Sequence, residues 1–153
     1  YRAQRYLPEA RLWGCLVQEM VPPGGLEVLV GMNRDPQFGP LVTFGLGGIY
    51  VETLKDVTFR IAPFSPQEAE AMLAEIRTRA LLDGVRGRPP ADKAALVDVL
   101  LRVGQLVQDF PEIVELDINP LIVYPRGQGA VAIDMRLVLA RPVELVEASK
   151  AAS

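Results

Sequence analysis

The chain has 153 residues, half of them hydrophobic, a net charge of −3 and no histidine. This length suits one domain with a sizeable core, and the lack of histidine excludes a Ser/His/Asp triad and an ordinary zinc site. The acidic balance argues against a nucleic-acid partner. No apolar run is long enough to cross a membrane, so we expect a cytoplasmic protein with no membrane partner.

The ends of the chain predict that it is part of something longer. It does not begin with methionine, so we expect a fragment or one domain of a larger protein. Residues 1–11 are interpreted as the remnant of a preceding segment and residues 141–153 as a tail, which leaves residues 12–140 as the domain. The single cysteine, Cys15, has apolar neighbours and is expected to be buried.

The first third of the chain predicts strands. Two apolar runs separated by the turn former Pro22–Gly25 predict a β-hairpin over residues 12–33, with a buried first strand over 12–21. A short strand over 41–44 leads into a glycine-rich turn. Alternating polarity predicts another strand over Val57–Ile61.

Two helices follow. Ser65 as the N-cap, Pro66 at the first helical position and Glu68 completing a capping box predict the start of the first helix. Asp92 is predicted to cap the second helix. Both helices carry apolar residues at helical spacing, which predicts that one side of each faces the core.

The last part of the chain returns to strands. A strand over 113–118 continues beyond Pro120 to residue 124, and the turn at 126–129 brings residues 130–134 back as its hairpin partner. Strands, then two helices, then strands predict an α+β fold, a mostly antiparallel sheet with two packed helices.

Three oxygen-bearing side chains meet at this last hairpin. Asp117 and Asn119 are two residues apart, so they share a face of an extended strand. The hairpin would bring Asn119 close to Asp134 on the partner strand. Such a cluster suits Mg²⁺, which takes few protein ligands. From spacing alone, the alternative that Asp117 and Asn119 only shape the turn before Pro120 is equally favoured.

Two further signals are weaker when taken alone. The Gly45–Gly48 segment would let backbone N–H groups approach a phosphate, although a simple glycine-rich turn is the commoner explanation and no Walker loop is present. Gln18, Glu19 and Glu27 lie in the first predicted hairpin, where a carboxylate could accept ribose hydroxyls. Exposed acids at a hairpin end are the alternative interpretation.

Taken together, five segments resemble a known family. They are Leu16–Pro22, Arg34–Pro40, Phe44–Ile49, Leu54–Val57 and Glu115–Leu121. In this order they resemble the ATP-grasp domain of ADP-forming acyl-CoA synthetases, the β-subunit family of ADP-forming acetyl-CoA synthetase, which is related to succinyl-CoA synthetase. The resemblance covers about residues 12–138 and implies the larger lobe of an ATP-grasp fold that binds ATP or ADP with Mg²⁺.

The resemblance assigns nucleotide contacts to the first part of the chain. Gln18–Val21 is similar to the hinge that meets the adenine edge, partly through backbone groups of Glu19 and Val21. Glu27 matches the acid that holds the ribose.

It assigns the phosphate and metal region to later residues. Asn119 and Asp134 match the Mg²⁺ ligands, with Asp117 as a third member. The glycine-rich segment, with Gly47 and Gly48, matches the one near the reacting phosphate.

It also implies three more residues near the phosphates. Glu52 and Arg60 are the catalytic candidates beside the reacting phosphate. Arg34 is a further candidate for offsetting phosphate charge.

The sequence departs from the family in one respect. In the family the smaller lobe precedes this one and supplies a nucleotide-binding lysine and a phosphate-accepting histidine. Here that lobe is missing or reduced to residues 1–11, and the CoA-binding domains or subunit are also missing. The resemblance implies that the parent interconverts acyl-CoA, ADP and phosphate with acid, CoA and ATP, and that this chain alone is inactive. The alternative is a degenerate ATP-grasp module with a regulatory or structural role, for example attached to a protein acetyltransferase.

Overall fold

The structure, a computed structural model, describes residues 5, 6, 9, 11, 14, 15, 17–48, 55–85 and 87–140. The predicted remnant at 1–11 is therefore described only in part, and the predicted tail at 141–153 lies outside the described residues. The strands are β1 (Leu26–Asp35), β2 (Gly39–Leu46), β3 (Val57–Ile61), β4 (Ile113–Val123), β5 (Ala130–Ala132) and β6 (Met135–Leu139). The helices are α1 (Pro66–Glu75), α2 (Ala80–Asp83) and α3 (Lys93–Asp109).

The described strands form one antiparallel sheet. Its order is β3-β2-β1-β4-β5. Strand β5 pairs with residues 121–123 of β4, and β6 pairs with residues 113–118 of β4. The three helices lie between β3 and β4 in the chain. The α+β prediction is therefore confirmed, with α1 and α3 as the two main helices.

The helices begin where the capping residues predict. The Ser65 side chain accepts the N–H of Glu68, and the Glu68 carboxylate accepts the N–H of Ser65 at 2.7 Å, which completes the capping box. Asp92 caps α3 by accepting the N–H of Ala95. No helix among the described residues is long and apolar enough to cross a membrane.

One face of the sheet, which we call the helix face, packs against the helices. Alternate residues of β1 and β2 are fully buried there: Val28, Val30, Met32, Val42, Phe44 and Leu46. They join Met72 of α1 and Leu96 and Leu100 of α3 in one hydrophobic cluster. Burial of this area is the main stabilising contribution to the fold.

The prediction of a hairpin over 12–33 is wrong in the part of the chain that is described. Residues 17–25 form no strand, and β1 pairs with β2 and β4 instead. Val17 is 90% exposed and Met20 is 89% exposed, so the apolar character of this segment does not reflect burial in a sheet. The predicted burial of Cys15 is also wrong, because its side chain is exposed.

Candidate functional site

The candidate site lies on the side of the sheet opposite the helices, which we call the polar face. Because side chains alternate along a strand, the residues between the buried positions of β1 point to this face. Glu27 and Gly31 are two of them, and the β-ladder places Thr43 and Asp117 opposite Gly31 on either side. The small residues leave room above the centre of the sheet.

Glu27 and the glycine-rich turn form one corner of the polar face. Gly47 follows β2 and donates its N–H to the Glu27 carbonyl at 2.8 Å. A Cβ on Gly47 would lie 3.1 Å from the Glu27 Cβ, and a Cβ on Gly48 would lie 3.6 Å from Glu27 Oε2. Gly48 has a φ of +64°, a conformation in which glycine carries no steric penalty. The structure therefore brings together three of the predicted nucleotide-binding residues.

Asn119 and Asp134 form a second corner. Ile118 pairs with Met135 and Leu121 with Ala132, so Asn119 stands directly opposite Asp134. The N–H of Asn119 donates to the carbonyl of Asp134 at 3.1 Å. Both residues are exposed. Directly opposed residues have neighbouring Cβ atoms, so an amide oxygen and a carboxylate can reach one ion.

Asp117 lies on the polar face beside this pair. Its Oδ1 is 4.0 Å from the position that a Cβ on Gly31 would take. Arg136 stands opposite Asp117 on β6, and its guanidinium donates to Glu115 at 2.8 Å. The Arg136 side chain is 67% exposed, so this pair contributes little to stability.

The oxygen ligands available at this corner are few. No group of three or more Asp, Glu, His or Cys side chains gathers in metal-binding geometry within the described ranges. Mg²⁺ is commonly held by one or two carboxylates with water and phosphate completing its shell. Asn119 and Asp134, with Asp117 nearby, fit that chemistry and do not form an all-protein cage.

The predicted hinge lies along the last hairpin. Residues 18–22 and residues 131–133 line the two walls of an open groove of about 480 Å³. The Tyr124 hydroxyl donates to the Pro22 carbonyl at 2.9 Å and ties the segment to the end of β4. The segment thus approaches the same hairpin that carries Asp134.

Asp92 has a second role that its sequence context did not predict. Besides capping α3, its carboxylate accepts the N–H groups of Gly127 and Gly129 at 2.8 and 2.9 Å. The hydrogen bonds from Gly129, Ala95 and Gly127 hold the pKa of Asp92 below its usual value. Asp92 therefore fixes the β4–β5 turn against the start of α3, and the two glycines at that turn were its only sequence signal.

The arginine candidates lie on the other side of the sheet. Arg60 forms an ion pair with Glu75 of α1 at 2.5 Å, and the Glu75 hydrogen bond raises its pKa above the usual value. Arg34 donates to the carbonyls of Val107 and Ile113 at 2.7 and 3.0 Å, next to the end of α3. The structure brings neither arginine to the polar face. Glu52 lies outside the described residues.

A family model and curated relatives indicate the same protein family. A family model described as "ATP-grasp domain" matches residues 1–139. The chain is 52% identical over 137 residues to an ADP-forming acetate–CoA ligase I of Archaeoglobus fulgidus, covering 90% of this chain and 20% of that protein. It is 49% identical over 138 residues to the β subunit of ADP-forming acetate–CoA ligase II of Pyrococcus furiosus, covering 90% of this chain and 58% of that subunit.

Solved structures show the same similarity. The dinucleotide-forming acetyl-coenzyme A synthetase 1 of Ca. Korarchaeum cryptofilum, in complex with coenzyme A and Ca-AMPCP, is 47% identical with a TM-score of 0.81. The match covers 90% of this chain and 59% of that one. Another complex of that protein holds coenzyme A and Mg-AMPPCP, with a phosphohistidine segment pointing towards the nucleotide binding site. The chain therefore spans between a fifth and about three fifths of the length of these relatives.

Proposed function

The chain belongs to the ATP-grasp family, and we propose that it is the Mg-ATP-binding lobe of an ADP-forming acyl-CoA synthetase. One observation carries the proposal. Asn119 stands directly opposite Asp134 on one hairpin, and Glu27 lies against Gly47 and Gly48 on the same sheet. An acid able to accept ribose hydroxyls and an oxygen pair suited to Mg²⁺, placed on one sheet, support the binding of a metal–nucleotide complex.

Asn119 and Asp134 would hold the magnesium ion. Magnesium, when bound, would offset the charge on the phosphate oxygens of the nucleotide. Asp117 would add negative charge beside this pair. Because the pair is exposed and sits at the edge of the sheet, it leaves positions open for phosphate oxygens and water.

Glu27 and the hinge would fix the nucleoside. The Glu27 carboxylate can accept both ribose hydroxyls, and backbone groups of Glu19 and Val21 would meet the adenine edge in the groove beside β5. The N–H of Gly47 already donates within the sheet. A phosphate contact from the glycine-rich turn would therefore come from Gly48 or the residues after it.

The catalytic candidates remain separate proposals. Glu52 follows the glycine-rich turn in sequence, and its assignment rests on the resemblance alone. Arg60 would have to give up its ion pair with Glu75 before it could contact a phosphate from this lobe. We therefore place substrate positioning, rather than bond breaking, in the part of the site that is described.

The complete reaction would need other parts of a longer protein. We propose that the parent converts acyl-CoA, ADP and phosphate to acid, CoA and ATP through an acyl phosphate and a phosphohistidine. This chain has no histidine, so the phosphohistidine would come from outside it. By the family resemblance, the smaller ATP-grasp lobe and the CoA-binding part would also come from outside it. The length of the relatives, which exceeds that of this chain, supports this arrangement.

The test uses the full-length protein with its CoA-binding part. ATP formation from acetyl-CoA, ADP and phosphate is measured in the wild type, in Glu27→Gln and in Glu70→Gln, a matched exposed glutamate on α1. We expect turnover in the wild type and Glu70→Gln, and a nucleotide KM raised about tenfold or more in Glu27→Gln because a charge-assisted hydrogen bond is lost. Nucleotide binding without turnover in the wild type would favour the degenerate, regulatory module instead.

A further inference from the structure

We infer that the Tyr124 hydroxyl is a positioning group that holds residues 17–22 in the place from which they contact the nucleotide base. The inference rests on the proposed function, because it concerns the same groove. It adds a residue that neither the motifs nor the resemblance assigns.

Three hydrogen bonds hold Tyr124 in place. Its hydroxyl donates to the Pro22 carbonyl at 2.9 Å, its N–H donates to the Gly129 carbonyl at 3.0 Å, and its own carbonyl accepts the N–H of Asp92 at 2.9 Å. The residue is only 7% exposed. Its ring therefore presents the hydroxyl from a rigid position, between two segments that are 102 residues apart in the chain.

The same framework holds both walls of the groove. Asp92 anchors the turn through the amides of Gly127 and Gly129, and β5 follows directly from that turn. Residues 131–133 form the wall on the β5 side. The opposite wall, residues 18–22, is connected to this same turn through Tyr124. The width of the groove therefore depends on the hydrogen bond from Tyr124 to Pro22.

Within the part of the chain that the structure describes, little else holds this segment. Val17 and Met20 are almost fully exposed, and Pro22 and Pro23 have no N–H to donate. Between pairs of described residues, the bond from Tyr124 is the only hydrogen bond that reaches residues 17–22. Loss of this hydrogen bond should therefore increase the mobility of residues 17–22 more than loss of one hydrogen bond would in a packed strand.

Gly25 limits where the segment can run. A Cβ there would lie 2.2 Å from Ile122 Cγ2 and 3.3 Å from Tyr124 Cε1. The backbone thus crosses the end of β4 at a distance that only glycine permits. The segment is held at Gly25 by close approach and at Pro22 by the tyrosine hydroxyl.

The bond is partly buried, but Pro22 itself is exposed, so we expect its carbonyl to reach water when the hydroxyl is removed. The cost in stability should then stay below that of a fully buried, unsatisfied acceptor. Tyr124→Phe keeps the ring and its packing. The variant should fold normally and show its effect in the mobility of residues 17–22 and in nucleotide binding.

The experiment compares Tyr124→Phe with Tyr6→Phe, the same chemical change at a tyrosine that is 89% exposed. In the full-length protein, we expect Tyr124→Phe to raise the nucleotide KM about three- to tenfold, the value of one hydrogen bond, with kcat within about twofold. The backbone ¹⁵N order parameters of residues 17–21 should fall in parallel. Tyr6→Phe should change neither. Gly25→Ala, which moves the segment by crowding, should raise the KM in the same way.

The outcomes separate this inference from the proposed function. Lower order parameters with an unchanged nucleotide KM would show that Tyr124 positions nothing for the ligand, and unchanged order parameters would show that it does not hold the segment. Either result overturns the inference while the effect of Glu27→Gln on KM stands. If the wild type has no nucleotide-dependent activity or binding, the proposed function fails and the inference fails with it.

Discussion

Replacement of Gly47 by alanine tests whether the corner at Glu27 is as tight as the structure indicates. The added Cβ would lie 3.1 Å from the Glu27 Cβ and 3.2 and 3.3 Å from its carbonyl carbon and oxygen. Unstrained carbon contacts are about 3.5–4.0 Å, so β1 must move by several tenths of an ångström. Because the neighbouring atoms belong largely to the backbone, no side-chain rotation can relieve the contact.

The cost follows from this crowding. Overpacking a closely packed site typically costs about 1–3 kcal/mol, so we expect the free energy of unfolding to fall by that amount. Since the atoms that move belong to Glu27, the nucleotide KM of the full-length protein should rise as well. Gly48→Ala should show a related effect, because its φ of +64° costs an alanine about 1–2 kcal/mol.

Gly39→Ala is the matched control. Gly39 has a φ of +83°, and a Cβ there would have no neighbour within 4 Å. It lies at the far end of the β1–β2 hairpin, opposite Asp35. The control should lose a similar free energy of unfolding in urea and keep its nucleotide KM. If Gly47→Ala loses stability but also keeps its KM, Glu27 does not contact the nucleotide.

Three further results are expected. Gly104→Ala in α3 should raise the Tm by about 2–4 °C, because alanine has the higher helix propensity. The added Cβ would lie 3.4 and 3.5 Å from two atoms of the Phe64 ring, which is an ordinary contact. A lower Tm would show that the Cβ does not fit there. Burial alone would raise the pKa of Asp56, but hydrogen bonds from the Thr78 hydroxyl and the amides of Arg77 and Thr78 hold this pKa below its usual value. The ionised Asp56 carboxylate therefore stabilises the fold at a pH above the pKa that Asp56 has in the unfolded chain. This stabilisation is lost as the pH falls through the lower pKa that Asp56 has in the folded protein, so Asp56→Asn should lower the Tm at pH 7 more than at pH 3. The isolated chain, without histidine, should form no ADP from acid, CoA and ATP, and acid- and CoA-dependent ADP release would contradict this.

Local signals predicted much of the fold. The bounds of β3, the capping box of α1 and the N-cap of α3 all agree with the structure, because each depends on neighbours in sequence. The position of Asn119 opposite Asp134 also followed from sequence, since a hairpin with a defined turn fixes its own register.

The errors concern contacts that sequence spacing cannot report. Residues 17–21 have the composition of a strand, but β1 already has partners on both edges, β2 and β4, so no position in the sheet is left beside it. The family resemblance assigns Arg34 and Arg60 to the phosphates. Their strand positions turn them toward the ends and sides of the helices. The bond from Tyr124 to Pro22 spans most of the chain and leaves no local pattern.

Magnesium dependence tests the central claim most directly. Asp134→Asn, in the full-length protein, keeps the size of the side chain and removes the charge that a hard cation needs. ATP is titrated by calorimetry with and without Mg²⁺, beside Asp98→Asn, a matched exposed aspartate on α3. We predict that Asp134→Asn weakens Mg-ATP binding by more than about tenfold and changes metal-free ATP binding by less than about twofold, while Asp98→Asn changes neither. An unchanged magnesium dependence in Asp134→Asn would show that Asn119 and Asp134 are turn residues and would remove the metal site from the account.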